Sequence, residues 1–290
     1  MKVLVLGGAG QLGSEIVRVC EARGDHVRPV THPELDIANL NAIEAFLEPI
    51  EADIVVNCAA FHDVNACEAD PAKADAVNTF AMAYLALVCR KRGIKLVHVS
   101  TDYVFNGTKL IPYVESDAPK PLQAYGRSKL AGEYAVLGAD PANLVVRTAS
   151  LFGVGGNSAK GGDFPSRIMA AAERDGEVKL RVDLTMSPTY VPDLADGMVT
   201  AIHRHMNGIL HLAGEEPATW FDVAHECVKA AGIQAKVKRL FGAVDEVPRP
   251  KYSVLASERV VGLPAWSNRI EEYLRLWTAK RSERSVPTSC

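Results

Sequence analysis

A tyrosine and a lysine stand four residues apart in the stretch YGRSKLAGE, which covers residues 125–133. If this stretch is helical, Tyr125 and Lys129 lie on one face of the helix, one turn apart. A phenol with its ordinary pKa near ~10 is a poor acid–base group at neutral pH, and a neighbouring ammonium lowers that pKa. The pair therefore predicts half of an acid–base site. A solvated helix face is the alternative interpretation.

Three glycines are spaced GxxGxxG in the stretch GGAGQLG at 7–13, directly after an apolar run. Gly7 permits a sharp turn, Gly10 lets the backbone approach a pyrophosphate, and Gly13 permits close packing of a helix on a strand. The free N–H groups of the following helix then face the phosphates. Because the glycines lie between a predicted strand and a predicted helix, they indicate dinucleotide binding rather than an ordinary tight turn.

The end of the second predicted strand bears on which dinucleotide is bound. Sites that prefer NAD usually carry an acid about 20 residues after the glycines, where it holds a ribose hydroxyl. Here the region reads RPVTHP, with no acid before Glu34, and Arg28 or His32 would tolerate a 2′-phosphate. The sequence favours NADPH over NADH and leaves the use of both open. Asp36 and Ile37 are predicted to contact the adenine, and a helix N-terminal acid is the alternative for Asp36.

Hydroxyl and carboxyl side chains follow the apolar run IKLVHVS at 94–100, which predicts a strand. The carboxyl ends of parallel strands open onto the ligand crevice of this kind of fold. We therefore expect Ser100, Thr101, Asp102 and Tyr103 to lie near the nicotinamide. A hydroxyl at this point can bind a substrate carbonyl oxygen while the phenol of Tyr125 gives that oxygen a proton.

Strands and helices alternate through the first half of the chain. Short apolar, β-branched runs predict strands that are buried on both faces of a parallel sheet. The alternation predicts an α/β fold, with a doubly wound parallel Rossmann-type sheet and a smaller C-terminal α/β substrate lobe. The predicted strands are 2–6, 26–30, 53–57, 94–100 and 143–148, and the predicted helices are 11–23, 40–49, 71–92 and 122–137.

The alternation loosens after Thr148. Helices are predicted at 164–175 and 266–278, and Thr219 is a candidate N-cap for another. We predict a dinucleotide-binding Rossmann domain over 1–150, a mainly substrate-binding lobe over 151–280 and a flexible tail over 281–290. Because no sharp boundary is visible, we expect returns of the chain from the second half into the first domain.

The charge and cysteine content of the chain limit which partners it is expected to bind. A net charge of −3 gives no electrostatic basis for binding nucleic acid or an anionic membrane. The six cysteines form no CxxC pair and no zinc-like spacing, so we expect reduced, buried thiols, a cytoplasmic protein and no metal site. The N-terminal apolar run is too short for a signal peptide or a membrane span.

The combination of hydroxyl, tyrosine and lysine on this fold resembles the short-chain dehydrogenase/reductase superfamily, in its extended, sugar-nucleotide branch. Within that branch, seven stretches resemble the dTDP-4-dehydrorhamnose reductases. The resemblance extends from Lys2 to the predicted helix near 277. The stretches are, in order, GxxGQLG, VNCAAFHDVNACE, STDYVFNG, YGRSKLAGE, VVRTASLFG, MSPTYVPDLA and PRPKYSVL.

The resemblance implies NADPH- or NADH-dependent reduction of the C4 ketone of a nucleotide-linked 6-deoxy-4-keto sugar, with dTDP-4-dehydro-L-rhamnose the first choice of substrate. The implied catalytic residues are Thr101, Tyr125 and Lys129. Together with the glycine turn, the expected cofactor-binding residues are Gly7, Gly10, Gln11, Leu12, Gly13, Asp36, Ile37, Asn57, Ala59, Ala60, Ser100, Tyr125 and Lys129. The implied substrate-binding residues are Asp102, Tyr103, Ser150, Ser187 and Arg249.

Two positions depart from the family pattern near the expected sugar. Many of these reductases carry an aromatic residue after RTS, and this chain has Ser150 followed by Leu151 and Phe152. His62 stands where the family shows threonine, either as an extra acid–base group or as a loop histidine. These departures leave the sugar and its nucleotide base open. Asn78 is either a site-steadying amide or a helix-buried one.

Two other functions stay open. The same residues would serve an epimerase or dehydratase, although Tyr103 stands where a dehydratase commonly has a glutamate. A non-catalytic regulatory subunit, like the β-subunit of methionine adenosyltransferase, resembles the same reductases. The intact set of Thr101, Tyr125 and Lys129 disfavours that option. A homodimer is left open as the assembly.

Overall fold

The computed structural model describes residues 1–155, 162–242 and 246–285 of the chain. Within these ranges the strands are β1 (Lys2–Leu6), β2 (His26–Val30), β3 (Ile54–Asn57), β4 (Lys95–Thr101), β5 (Leu144–Thr148), β6 (Leu151–Phe152), β7 (Glu177–Arg181), β8 (Thr189–Tyr190), β9 (Gly208–His211) and β10 (Lys236–Leu240). The α-helices are α1 (Gln11–Ala22), α2 (Leu40–Leu47), α3 (Val64–Ala69), α4 (Pro71–Asp75), α5 (Ala81–Lys91), α6 (Ala124–Ala139), α7 (Phe164–Asp175), α8 (Val191–His203), α9 (Trp220–Ala230) and α10 (Ile270–Ser285).

The main sheet is parallel throughout and has the order β2-β1-β3-β4-β5-β9. Its central strands β3 and β5 consist entirely of buried residues, as expected for a sheet that is covered on both faces. The strand order changes direction between β1 and β3, and ligands bind at such a point in doubly wound folds. The predicted α/β fold with a parallel Rossmann-type sheet is confirmed.

Two apolar cores flank this sheet. On one face, α1 and α8 pack against it through residues such as Ile16 and Met198. On the other face, α2, α5 and α6 supply residues such as Ile43, Leu85 and Val136. Because β9 and α8 come from the second half of the chain, that half returns to the first sheet.

A smaller lobe is built from α7, α9 and α10 around the two-stranded parallel sheet of β7 and β10. Thr219 caps α9, as predicted, and forms a capping box with Asp222. The division into domains at residue 150 stays a prediction. The predicted tail begins inside α10, where Arg281 forms an ion pair with Glu173 at 2.8 Å. Residues 286–290 of that tail lie outside the described residues.

The predicted helix at 71–92 is divided into three parts. A π-helical turn at Ala76–Phe80 separates α4 from α5. Before it, the short helix α3 was not predicted; Asp63 caps α3 by accepting from the Ala66 N–H at 3.0 Å. Asp70 caps α4 in the same way through the Lys73 N–H. Two caps seven residues apart explain why the chain bends here instead of continuing one helix.

Five cysteines in the described ranges are free thiols: Cys20, Cys58, Cys67, Cys89 and Cys227. Burial raises the pKa of the thiols of Cys58, Cys89 and Cys227 to about 12, and that of Cys20 to about 11. Among the helices described here, none is both long and apolar enough to cross a bilayer.

Candidate active site

The glycine turn after β1 has the geometry that its spacing predicts. Gly7 has a φ of +74°, and its carbonyl accepts from the Gly10 N–H at 2.9 Å. A Cβ on Gly13 would overlap the Gly7 carbonyl oxygen, so α1 approaches the turn as closely as only glycine allows. A Cβ on Gly7 would lie 3.0 Å from the Ala59 nitrogen. The carboxyl ends of β1 and β3 therefore meet at this turn.

Four other residues with a predicted cofactor role have side chains that make contacts within the protein. Leu12 and Ile37 lie in the two cores that flank the sheet, so any cofactor contact they make comes from their backbone. Gln11 donates from Nε2 to the Gly153 carbonyl at 2.8 Å. Asp36 is exposed and accepts from the Ala38 N–H at 3.0 Å. Whether these four contact the cofactor stays a prediction.

Asn57 shapes the loop that passes over the glycine turn. Its side chain is fully buried; Oδ1 accepts from the Ala59 N–H at 3.2 Å and Nδ2 donates to the Ala59 carbonyl at 3.1 Å. These two bonds fix the turn after β3. Ala59 and Ala60 are consequently held at the crevice edge, half-buried.

Thr101 and Tyr125 meet where β4 ends and α6 begins. The Thr101 hydroxyl is near enough to the Tyr125 phenol to act on its pKa. Thr101 Oγ1 donates to Asp102 Oδ1 at 3.1 Å and accepts from the Tyr103 N–H at 3.2 Å. The ring of Tyr103 stands edge-on to that of Tyr125, with centroids 6.1 Å apart. The structure thus brings phenol, hydroxyl and carboxyl together at the end of β4.

The predicted effect of Lys129 on Tyr125 is wrong for this structure. Burial raises the pKa of the Tyr125 phenol, and the hydrogen bond from Thr101 opposes that rise only in part. Lys129 is itself buried, and burial lowers the pKa of its amine to about 8. Its Nζ contacts the Val99 carbonyl at 2.7 Å and His98 Nε2 at 3.0 Å. Desolvation of both groups therefore outweighs the attraction that the spacing predicted.

Ser100 has a partner behind the crevice. Its hydroxyl donates to Glu133 on α6, and Glu133 also accepts two or more bonds from Arg147, the shortest at 2.6 Å. All three side chains are buried. Arg147 is therefore a structural arginine. A direct cofactor contact from Ser100 stays a prediction.

Comparison with known proteins places these residues in a family. Residues 1–278 match the family model described as RmlD substrate binding domain. The chain is 38% identical over 283 residues to a probable dTDP-4,6-dihydroxy-2-methyloxan-3-one 4-ketoreductase of Streptomyces antibioticus, covering 94% of both chains. It is 35% identical over 298 residues to the dTDP-4-dehydrorhamnose reductase of Mycolicibacterium smegmatis, covering 99% of this chain and 89% of the relative.

The chain belongs to the RmlD substrate binding domain family. Its fold also matches a solved structure of dTDP-4-dehydrorhamnose reductase from Bacillus anthracis in complex with NADP, with a TM-score of 0.88 and 29% identity. That match covers 94% of this chain and 98% of the other. The resemblance expected from the seven stretches is confirmed.

Asp102 is the buried carboxyl of this RmlD-family site. Burial raises the pKa of Asp102 to about 6, while hydrogen bonds from the hydroxyl groups of Ser253 and Thr101 oppose the rise. In the part of the chain that the structure describes, its Oδ2 has no hydrogen-bond partner. Ser253 belongs to the stretch PRPKYSVL, so the C-terminal part of the chain reaches the catalytic strand at this carboxyl.

The remaining predicted substrate residues surround the crevice in different ways. Ser150 follows β5 with a φ of +47°, a left-handed conformation that is uncommon outside glycine. The hydroxyl of Ser187 accepts from the Leu255 N–H at 3.2 Å. Arg249 contacts Asn65 Oδ1 on α3 at 3.5 Å. In this RmlD-family chain, Ser187 and Arg249 thus contact other segments of the protein near the site. Sugar contacts from Ser150, Ser187 and Arg249 stay predictions.

Asn78 lies in the π-helical turn and is buried. It donates to the Phe61 carbonyl at 2.8 Å and to Ser128 Oγ on α6 at 3.0 Å, and it accepts from the Phe61 N–H. It is thus a helix-buried amide that ties the helix of Tyr125 to the loop after β3.

His98 is a site residue that the RmlD-family motifs in the sequence did not predict. It lies in the middle of β4, fully buried, between Asn57 and Lys129. The available signal was a titratable side chain inside the otherwise apolar run KLVHVS. We interpreted that run only as a buried strand.

Proposed function

We propose that the chain reduces the C4 ketone of a nucleotide-linked 6-deoxy-4-keto sugar, with dTDP-4-dehydro-L-rhamnose as substrate and dTDP-L-rhamnose as product. The observation that carries the proposal is the cluster of Tyr125, Thr101 and Asp102 at the carboxyl end of β4, on a chain of the RmlD family. The relative from Mycolicibacterium smegmatis bears the name dTDP-4-dehydrorhamnose reductase.

The glycine turn fits a dinucleotide. Gly7 turns with a positive φ, Gly13 leaves no room for a Cβ, and the first N–H groups of α1 face the same space. The reductase from Bacillus anthracis is a complex with NADP. We propose NADPH as the preferred cofactor and NADH as the alternative, because Arg28 in β2 and His32 just after it are exposed and no acid stands between β2 and Glu34. The bound cofactor would supply the hydride.

Tyr125 would be the proton donor for the carbonyl oxygen. Its raised pKa keeps the phenol protonated at neutral pH, which suits an acid that must give a proton during reduction. Thr101 lies beside the phenol, and its hydroxyl would turn from Asp102 to donate to the same oxygen. Lys129, one helical turn from Tyr125, would hold the cofactor ribose.

The substrate would lie on the side of the crevice bounded by Asp102, Tyr103 and Ser150. Tyr103 presents a half-buried ring beside Tyr125 and can pack against the sugar. Arg249 is half-buried near the exposed rim, where a guanidinium can bind a nucleotide phosphate. Ser187 would shape the loop between them. We further propose that residues 1–150, with β9 and α8, bind the cofactor and that 151–280 mainly bind the substrate.

We also propose a homodimer. Large apolar side chains are exposed on the neighbouring surfaces of α5, α6 and the π-helical turn: Phe80 is 59% exposed, Leu87 55% and Tyr134 61%. Exposed apolar groups that cluster on one face are typical of protein interfaces. We call this group the helical face.

The test is oxidation of NADPH by the purified protein with dTDP-4-dehydro-L-rhamnose, with NADH and dTDP-4-keto-6-deoxy-D-glucose run in parallel. We expect turnover with NADPH and a product whose C4 configuration, read by NMR, is that of L-rhamnose. Interconversion of sugars without net NADPH consumption would point to the epimerase alternative. Tight NADPH binding with no turnover on any keto-sugar nucleotide would point to a regulatory subunit.

A further inference from the structure

His98 bridges two predicted site residues through the interior of the sheet. Its side chain is fully buried on β4. Nδ1 lies 3.1 Å from Asn57 Nδ2, and Nε2 lies 3.0 Å from Lys129 Nζ. The imidazole therefore contacts the loop over the glycine turn on one side and the buried amine on the other.

The orientation of the Asn57 amide decides which imidazole nitrogen carries the proton. Oδ1 accepts from the Ala59 N–H, a group that can only donate, so the amide nitrogen Nδ2 must face His98. An amide NH₂ is a donor without acceptor capacity. Nδ1 of His98 must then be the acceptor, and a neutral imidazole carries its proton on Nε2.

That proton points at Lys129. An ammonium has three donors and no acceptor, so it cannot accept from Nε2–H, whereas a neutral amine can. The neutral amine can at the same time donate to the Val99 carbonyl at 2.7 Å. We propose that His98 is a positioning residue that holds Lys129 in place and favours its neutral amine form in the ligand-free protein.

The groups around the amine fit this proposal. Burial lowers the pKa of Lys129, and the nearby carboxylate of Glu133 and the Cys58 thiol act in the opposite direction. The negative charge of Glu133 is balanced by its ion pair with Arg147 at 2.6 Å. This pairing weakens the electrostatic stabilisation that Glu133 gives to the Lys129 ammonium. Burial and the neighbouring Lys129 also lower the pKa of His98 well below its ordinary value, so the imidazole is neutral.

Any role of the neutral Lys129 amine in catalysis rests on the proposed function. A neutral amine has a lone pair, so Lys129 Nζ can bind a proton from another donor once it separates from His98 Nε2–H, while the imidazole keeps its own proton. A permanent ammonium could not. The protonation state can be measured without substrate, so the two proposals fail separately.

The experiment is an NMR titration of the full-length protein labelled with ¹³C at the lysine Cε, with Lys129→Met identifying the signal. We expect the wild-type Lys129 signal to titrate near pH 8, well below the ordinary lysine value of 10.5. In His98→Gln, the amide oxygen can accept from the ammonium, so the proton affinity of Lys129 should rise at least about tenfold, one pH unit.

The matched control is His203→Gln, which changes a histidine whose Nε2 lies 2.8 Å from Asp25 Oδ2 and which is not among the groups that shift the Lys129 pKa. It should leave the Lys129 titration unchanged. A wild-type midpoint near 10.5, or the same midpoint in His98→Gln, would overturn the proposal. If His98→Gln does not fold, the wild-type midpoint alone decides.

Discussion

The reactive centre is a cluster of three side chains in which each one affects the protonation of its neighbour. The Thr101 hydroxyl lies beside the Tyr125 phenol and donates to Asp102. Within the described ranges, the second oxygen of that carboxyl has no hydrogen-bond partner. Replacing one of these side chains should therefore change the protonation of the groups beside it.

Tyr125→Phe removes the proposed proton donor and little else. Because general acid catalysis contributes about 10²–10⁴-fold, we expect kcat to fall by that factor while the Kd for NADPH changes less than about threefold. Stopped-flow turnover and fluorescence titration measure the two quantities. Tyr84→Phe is the control, since that phenol bonds only to Glu44 on the outer surface in the contacts described, and its kcat should stay within about twofold. Undiminished reduction by Tyr125→Phe would exclude the phenol as donor.

Asp102→Asn tests the buried carboxyl through the pH dependence of stability. The pKa of Asp102 is raised from 3.8 to about 6, so the folded state binds more protons than the unfolded state in that window. Its contribution to stability therefore falls as pH rises from about 4 to about 7, by up to about 3 kcal/mol. Asn does not titrate. Over the same rise in pH, the free energy of unfolding of the variant should therefore increase relative to that of the wild type by that amount. Urea unfolding at both pH values measures it, and a constant difference would contradict the raised pKa.

Residue types and spacing were enough to predict Thr101, Tyr125 and Lys129 as a set. The pKa of Tyr125 was mispredicted because desolvation depends on packing from distant parts of the chain, which spacing does not record. His98 was missed for the same reason. Its partners Asn57 and Lys129 come from β3 and α6, and only the folded sheet brings them together.

At the scale of elements, α6 must approach the π-helical turn closely. A Cβ on Gly132 would overlap the backbone oxygen of Asn78, which lies in that turn. The contact sets the position of the helix that carries Tyr125 and Lys129. Asn78 reinforces it by donating to Ser128 on the same helix.

Gly132→Ala should therefore push α6 away from the turn. We expect a loss of about 1–3 kcal/mol of folding free energy, as for other overpacked sites, together with a lower kcat. Gly138→Ala is the control on the same helix, because a Cβ there meets nothing within 4 Å. Replacing this exposed helical glycine should stabilise by about 0.5–1 kcal/mol. Denaturant unfolding compares the two, and equal stabilities would argue against the close approach.

The strands of the main sheet were predicted to within one or two residues, because buried parallel strands have an unmistakable apolar composition. The helix at 71–92 was predicted as one piece because its apolar periodicity continues through the π-helical turn. That turn is a local widening, and the packing of Asn78 against α6 and Phe61 accounts for it. No composition signal marks it.

At the scale of the whole molecule, the two halves of the chain share the site. Gln11 at the glycine turn bonds to Gly153, and the Ser253 hydroxyl acts on the pKa of Asp102. β9 and α8 complete the first sheet and its core. Such returns of the chain were predicted from the sequence but not located, because partners far apart in the chain, such as Leu144 and Gly208, leave no local pattern.

The helical face tests the proposed assembly. Leu87→Glu introduces a charge where a dimer would bury an apolar side chain, so the mass by light scattering should fall to that of one chain, 31.3 kDa. Leu110→Glu is the control at an 84% exposed leucine in the loop between β4 and α6, outside the three elements of the helical face, and it should leave the mass unchanged. A wild-type protein that already has the single-chain mass would contradict the homodimer.

The raised pKa values of the cysteine thiols bear on how the protein is handled. Only a thiolate is alkylated or oxidised readily, and a thiol of pKa about 12 is ionised in roughly one molecule in 10⁵ at neutral pH. Cys58, Cys89 and Cys227 should consequently resist maleimide dyes and air oxidation as long as the fold is intact. A cysteine engineered onto the surface would react with a fluorophore before any of these three.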